Sequence, residues 1–241
     1  LETLTALMLD DYPGHPGNKG APLFTAEEFN ALAQRIDAKH MQISVHAIGD
    51  GGVRRTLDGY EHARNINGAR DSRHRIEHIE LIDPADIRRI KQLGVVASLQ
   101  PVAGVGVPGN PHEPILSRVG DKLPNAYAWQ TLRQAGAEIA FSSDWPVAPL
   151  SPFLGMQAAM TAVPLKPGCA NQAQSLMVTL DAFTRAGAYM EFMEDRKGML
   201  KEGYLADVVV LDSDIEATPK GQIATVRPVT TICDGRVTFE A

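Results

Sequence analysis

The chain has 241 residues, enough for one large domain or two modest ones. Aliphatic, aromatic and Cys residues make up 44% and charged residues 22%, a globular composition that excludes disordered, collagen-like and disulfide-scaffold classes. A formal charge of −6 with no basic block leaves no electrostatic footprint for nucleic acid, and no uncharged apolar run approaches the roughly 18 residues of a membrane span.

The opening LETLTALMLDD does not start with Met and has neither the basic start nor the cleavage site of a signal peptide. It reads as the middle of a longer gene product. Cys169 and Cys233 lie far apart and fit no CxxC or Cys/His finger spacing, so two buried thiols in a reducing, cytoplasmic compartment are expected.

After a turn-rich stretch at residues 10–22, Thr25 and Glu28 form a capping box, and Phe29, Leu32, Ala33 and Ile36 recur at helical spacing to about Lys39. MQISVHAIGD follows as a buried strand ending in a loop at His46, Gly49 and Asp50. Val53, Leu57, Tyr60 and Ala63 mark a second helix, and HRIEHIE is the next strand. Asp83, with Pro84 in the first turn, starts a third helix that Gly94 closes. VVASLQP is strand-like. Residues 102–125, with Pro108, Pro111, Pro114 and Pro124, read as a long loop of the kind that forms lids, with His112 inside it. A helix through Tyr127, Leu132 and Ala135 is closed by Gly136, and EIAFSSD is the following strand.

Strands and helices thus alternate as in a parallel sheet with crossover helices. Residues 152–194 look mostly helical, with a Pro/Gly-rich interruption at 164–172. ADVVVLD and TVRPVTTICDGRVTF are β-rich with no helix between them.

Three polar residues stand at the ends of apolar strands, where a barrel enzyme places its site: His46, His78 and Asp144. They are separated by about one and then about two βα units. Two imidazoles and a carboxylate at one sheet edge make a divalent-metal site, with neutral ring nitrogens as donors. The carboxylate could hold the metal weakly while taking a proton from the attacking water. A single His at a strand end is more often structural; three such residues at one edge are harder to dismiss.

Other polar residues read differently. His74 fits a structural or surface role. Glu77 points to the face opposite His78 and is expected to pair with a helix residue. Asp50 serves as the cap of the next helix or as the partner of a ligand histidine, the cap being favoured. His15, His40, His62 and His112 are read as surface residues. Gly49-Asp-Gly-Gly is not GxGxxG, and no GxSxG elbow is present, so neither dinucleotide binding nor a serine-hydrolase mechanism is supported.

VHAIGDGGV, RHRIEHIELIDPADIRRIKQLGVVASLQP, AGAEIAFSSDWPV and KGMLKEGYLADVVVLD, in this order along the whole chain, resemble the metal-dependent amidohydrolase superfamily and its amidohydrolase family 3 branch. HAIGD, RIEH and SDxPV together are specific; ADVVVLD alone is shared by many amidohydrolases. The resemblance implies an α/β fold made of the C-terminal half of a TIM (β/α)8 barrel, strands five to eight, plus part of a small β-sandwich. Residues 1–195 would be the partial hydrolase barrel and 196–241 the C-terminal strands of the sandwich.

It further implies that His46 and His78 are the fifth- and sixth-strand metal ligands. Asp144 would be the eighth-strand aspartate, contacting metal and serving as general base and then acid. Gln100 and Trp145 would contact substrate. The family's first-strand His-x-His occurs nowhere in the sequence, and the bridging lysine's position would precede Leu1. Near Arg118 the expected second basic residue is replaced, by Lys122 at best.

The expected function is metal-dependent hydrolysis of non-peptide C–N bonds of a small-molecule amide, with zinc as the metal, bound weakly or not at all by this chain. The alternative is a catalytically inactive half-barrel that functions only by association. Self-association, or pairing with a missing N-terminal half, is expected; nucleic-acid and membrane partners are not.

Overall fold

In the computed structural model, which describes residues 1–104 and 113–241, four of the apolar runs form one sheet. β1 (Ser44–Ala47), β2 (Arg75–His78), β3 (Val96–Leu99) and β4 (Glu138–Phe141) stand in chain order. β1 pairs with β2, and β2 with β3, in parallel. Each strand is shorter than its apolar run, because the flanking residues turn into loops before the next helix. Every residue of β3 is buried, as a parallel strand covered on both faces requires. The α/β class and the parallel sheet are therefore as expected. Backbone proximity divides the chain into two compact units.

The first unit comprises Leu1–Leu99, Gly104–Ile139 and Val163–Gln172. Its first helix, α1 (Ala26–Asp37), opens on the expected capping box: Glu28 N donates to Thr25 Oγ1 at 3.2 Å, and Thr25 N donates to Glu28 Oε2 at 2.8 Å. Two donors that the first turn leaves unpaired are thereby satisfied. Phe29 of α1 packs onto α2 (Asp50–Asn67) at Gly59, where a Cβ would lie 2.4 Å from its ring. Val53, Leu57, Tyr60 and Ala63 are buried, as their period predicts.

α3 (Pro84–Gln92) begins where Asp83 accepts from Ala85 N at 2.9 Å, and it ends before Gly94 at φ 66°. Two arginines tie α2 to α3. Arg54 reaches Asp83 and Asp86 at 3.0 and 2.7 Å, and Arg89 reaches Asp58, Glu61 and Asp86 at 2.7, 2.7 and 2.9 Å.

The stretch read as a long loop is partly helical. α4 (Glu113–Val119) runs into a 3-10 turn at Gly120–Asn125, and Ile115, Val119 and Leu123 bury one face at helical spacing. That burial outweighs the surrounding prolines. Pro108, Pro111 and His112 lie outside the described residues. α5 (Trp129–Gln134) has no cap of its own. Gln172, from the Pro/Gly-rich interruption, accepts from Gln130 N and Thr131 N at 2.8 and 3.1 Å.

The second unit comprises Gln100–Ala103, Ala140–Ala162 and Ala173–Ala241. α6 (Pro152–Thr161), α7 (Leu176–Phe183) and α8 (Arg185–Met190) supply most of its core, in which Met156, Met160 and Ile223 are surrounded by Phe153, Leu180 and Phe183. β5 (Val208–Leu211), β6 (Pro228–Cys233) and β7 (Arg236–Glu240) form a separate antiparallel sheet in the order β5-β6-β7. A 3-10 turn at Lys220–Thr225 interrupts the segment expected to lack helix. Asp234 and Gly235, at φ 49° and 74°, make the tight turn between β6 and β7 that an Asp-Gly pair favours.

Neither thiol is buried as expected: Cys233 is exposed and Cys169 half-buried, and both are free. Among the described residues no helix is long and apolar enough to cross a membrane.

Candidate functional site

β1 and β2 are in register with His46 beside Glu77 and Ala47 beside His78. Strand alternation alone would place the two imidazoles on opposite faces. They nevertheless meet edge to face, with ring centroids 4.4 Å apart and an interplanar angle of 69°. The cause is local: His78 has φ 81° and Ile79 φ 48°, so the backbone leaves the extended region as the strand ends. Ile79 N donating to Ala47 O at 3.1 Å and Leu81 N to Ile48 O at 3.0 Å hold this turn against β1. Left-handed backbone at a β-branched residue is strained, at a cost of about 1–3 kcal/mol, and such strain concentrates at functional sites. His46 is exposed and His78 half-buried, so both rings remain reachable.

In the second unit, Asp144 also has a left-handed backbone, at φ 59°, and is exposed. Val147 N donates to its carbonyl at 2.8 Å, closing a turn. Trp145 is 65% exposed. Gln100 is buried and donates from Nε2 to Ser142 Oγ at 3.0 Å. Ser142 was missed in the sequence; its one signal was its place in the polar Ser-Ser-Asp run that ends β4.

The donor chemistry of His46 and His78 suits a divalent ion, since two imidazoles within reach of each other supply two of the ligands that zinc takes. Among the described residues, no three His, Cys, Asp or Glu side chains gather closely enough to hold a metal ion.

The remaining candidates have other work. His74 is structural: its Nδ1 accepts from Ile43 N at 3.1 Å, and its Nε2 lies 3.3 Å from Asp37. Burial pushes its pKa down to about 4, against the attraction of Asp37, so the ring is neutral. Glu77 does not pair with a helix; it accepts from Ser44 Oγ at 2.6 Å, and Arg75 lies 3.5 Å away. Both partners are strand residues because Glu77 lies on the sheet face that it shares with Ser44 and Arg75.

Asp50 is not the helix cap, a position held by Gly49 without a side-chain bond. Its carboxylate, 1% exposed, accepts from Leu9 N at 2.9 Å and from Lys122 Nζ at 2.6 Å. Lys122 also meets Asp10 at 2.8 Å, so its charge is committed to two carboxylates. A cavity of about 700 Å³ opens beside His46, walled by α1, β1 and the segment before α1.

A parallel βα array with paired imidazoles at neighbouring strand ends is a class of fold and site shared by many hydrolytic proteins. This chain belongs to the amidohydrolase family, whose sequence model matches residues 1–239. It is similar to the putative amidohydrolase YtcJ of Bacillus subtilis (strain 168), with 28% identity over 243 residues, covering 98% of this chain and 44% of that protein. Protein LONG AFTER FAR-RED 3 of Arabidopsis thaliana is 31% identical over 215 residues, covering 87% of this chain and 36% of that protein. The chain thus spans less than half the length of these relatives. Among solved structures, an uncharacterized metal-dependent hydrolase from Pyrococcus horikoshii OT3 superposes with a TM-score of 0.76 at 26% identity, covering 91% of this chain and 44% of that one.

Proposed function

We propose that this chain is part of a metal-dependent hydrolase acting on C–N bonds of non-peptide amides. The observation that carries the reading is the meeting of His46 and His78 at 4.4 Å across two strands whose register alone would separate them. His46 and His78 would hold the ion, zinc by preference for imidazole. A divalent ion held there would supply polarisation of a carbonyl oxygen and a lowered pKa for water.

The chain's own residues do the rest. Asp144 accepts a proton from the attacking water and returns it to the leaving nitrogen. Gln100, fixed by Ser142, and the exposed Trp145 contact the amide and its substituents. In this reading the parallel strands are the fifth to eighth of a (β/α)8 barrel, and the β5-β6-β7 sheet is part of a small sandwich. Similarity to a putative amidohydrolase and to a metal-dependent hydrolase supports the hydrolase reading.

Zinc sites take four ligands, and catalytic ones three from protein. Further donors would come from outside these residues, by self-association or from a longer parent polypeptide. A second reading, an inactive half-barrel that acts only by association, is favoured by the lack of any three-residue donor group among the described residues.

Zinc titration together with a screen of N-acyl amides tests the proposal. Binding that depends on His46 and His78, with turnover once the partner chain or longer parent is supplied, supports the hydrolase. Binding without turnover in the longer parent supports the inactive reading, and zinc affinity unchanged in His78→Ala removes the site.

A further inference from the structure

We propose that Lys122 is a positioning residue: by joining Asp50 to Asp10, it latches the strap formed by residues 1–20 as one wall of the cavity that His46 lines. The inference rests on the reading of His46 and His78 as metal donors and goes beyond it, to what fixes their surroundings.

The strap lies on the start of α2 by backbone contact. A Cβ at Gly49 would stand 2.3 Å from Leu7 O, and one at Gly51 would stand 2.6 Å from the Met8 carbonyl carbon. Gly52 N donates to Leu7 O at 3.0 Å. The GDGG run of the sequence, which fits no nucleotide-binding pattern, is therefore a docking surface, and at Gly49 and Gly51 only glycine leaves room for a second backbone.

The strap is also braced internally. Met8 N donates to Lys19 O at 2.8 Å, Lys19 Nζ to Leu9 O at 2.9 Å, and Tyr12 OH to Ala6 O at 2.7 Å. Its residues Thr5, Ala6 and Leu7 share the cavity wall with Val45 and His46.

Asp50 is the centre of the latch. One carboxylate oxygen holds the strap directly through Leu9 N, and the other holds Lys122. Lys122 in turn grips the strap at Asp10, and Arg118, one turn earlier, donates to Glu2 O at 3.3 Å. A buried carboxylate with one partner removed would be left with an unpaired charge, which a low-dielectric site disfavours. Asp50 therefore has to hold both, and β1, α2, α4 and the strap become one unit around His46. Lysine suits this place because its ammonium can bridge two carboxylates as a point charge.

The test uses the full chain in three forms: Lys122→Met, Lys122→Arg, and Asp10→Asn at the exposed end of the latch. Two readouts are followed, trypsin cleavage after Lys19 and zinc affinity by competition with a chromophoric chelator. Lys122→Met is expected to accelerate cleavage and weaken zinc binding, each by about ten-fold. Lys122→Arg should restore most of both, and Asp10→Asn should fall between. Cleavage and zinc affinity within about two-fold of the unaltered chain in both Lys122→Met and Asp10→Asn would overturn the latch. If Lys122→Met fails to fold, Asp10→Asn decides alone. Where the unaltered chain binds no zinc, cleavage after Lys19 in the three variants decides the latch alone.

Discussion

His78 reaches His46 by abandoning the strand in which it sits. The two rings stand 4.4 Å apart because His78 and Ile79 adopt φ values of 81° and 48° at the point where alternation would have turned His78 away. Two of the three candidate site residues, His78 and Asp144, occupy left-handed backbone, a conformation that is uncommon outside glycine. Strain of this kind persists only where the surrounding structure over-determines it. Around His78 the bonds from Ile79 N to Ala47 O and from Leu81 N to Ile48 O do so.

If the paired imidazoles are donors, removing either one should matter more than removing an outer partner, which typically costs 10–100-fold in metal affinity. His46→Ala and His78→Ala are each expected to lower zinc affinity by more than about ten-fold. His62→Ala, on a helix face beside Gln34, should leave it unchanged. Calorimetric titration of the three variants checks this; equal affinity in all three means that the rings meet for packing alone.

One side chain ties the loop at residues 164–172 to the start of α5. Gln172 Oε1 accepts from Gln130 N and Thr131 N, and Gln172 Nε2 donates to Thr131 Oγ1 at 3.0 Å, supplying the cap that α5 lacks. Loss of a helix cap costs about 0.5–2 kcal/mol. Gln172→Ala should therefore lower the unfolding free energy by that amount, seen as a lower urea midpoint with an unchanged slope of the transition. A variant as stable as the parent would show that solvent satisfies those donors equally well.

Helix contacts offer a sharper test in the opposite sense. Gly59 sits in the middle of α2, where alanine would ordinarily favour the helix by up to about 1 kcal/mol. Here a Cβ would come within 2.4 Å of the Phe29 ring. Overpacking of this kind costs about 1–3 kcal/mol. Gly59→Ala is expected to destabilise, and Gly59→Ala with Phe29→Leu to recover part of the loss. A stabilising Gly59→Ala would mean that α1 moves aside freely.

Much of this architecture could be read from the residues, because the signals were local. The capping box at Thr25 and Glu28, the Asp83-Pro84 start and the period of Val53, Leu57, Tyr60 and Ala63 each act within one helix. α4 was not legible: the prolines around it announce a loop, whereas burial of Ile115, Val119 and Leu123 favours the helix. The strand ends of His46 and His78 could be located, but not the turn that brings their rings together, since no residue type marks a left-handed histidine. Asp50 was misjudged for a similar reason. Its cap-like place in the sequence is local, while its partners, Leu9 and Lys122, come from distant stretches of the chain.

The last prediction concerns acid. His74 is buried between Ile43 N and Asp37, with the Tyr60 ring 4.7 Å away, and burial holds its pKa at about 4 against an ordinary value of 6.5. The unfolded chain therefore takes up this proton at a higher pH than the folded chain. Stability from this residue is complete above pH 6.5 and is lost as pH falls from there toward 4. Converted at 1.36 kcal/mol per pKa unit, the loss over that window is about 3 kcal/mol. Asp37 acts in a lower window. Burial raises its carboxyl, but hydrogen bonds from Asn67 and Arg70 outweigh that and hold it below the usual range, so its contribution fades only as pH falls through and below the ordinary carboxylate pKa. Urea unfolding between pH 7 and pH 4 should show the His74 loss first, and His74→Gln, which cannot take up the proton, should flatten that part of the profile. Identical pH dependence in His74→Gln and the parent would show that another group controls acid unfolding.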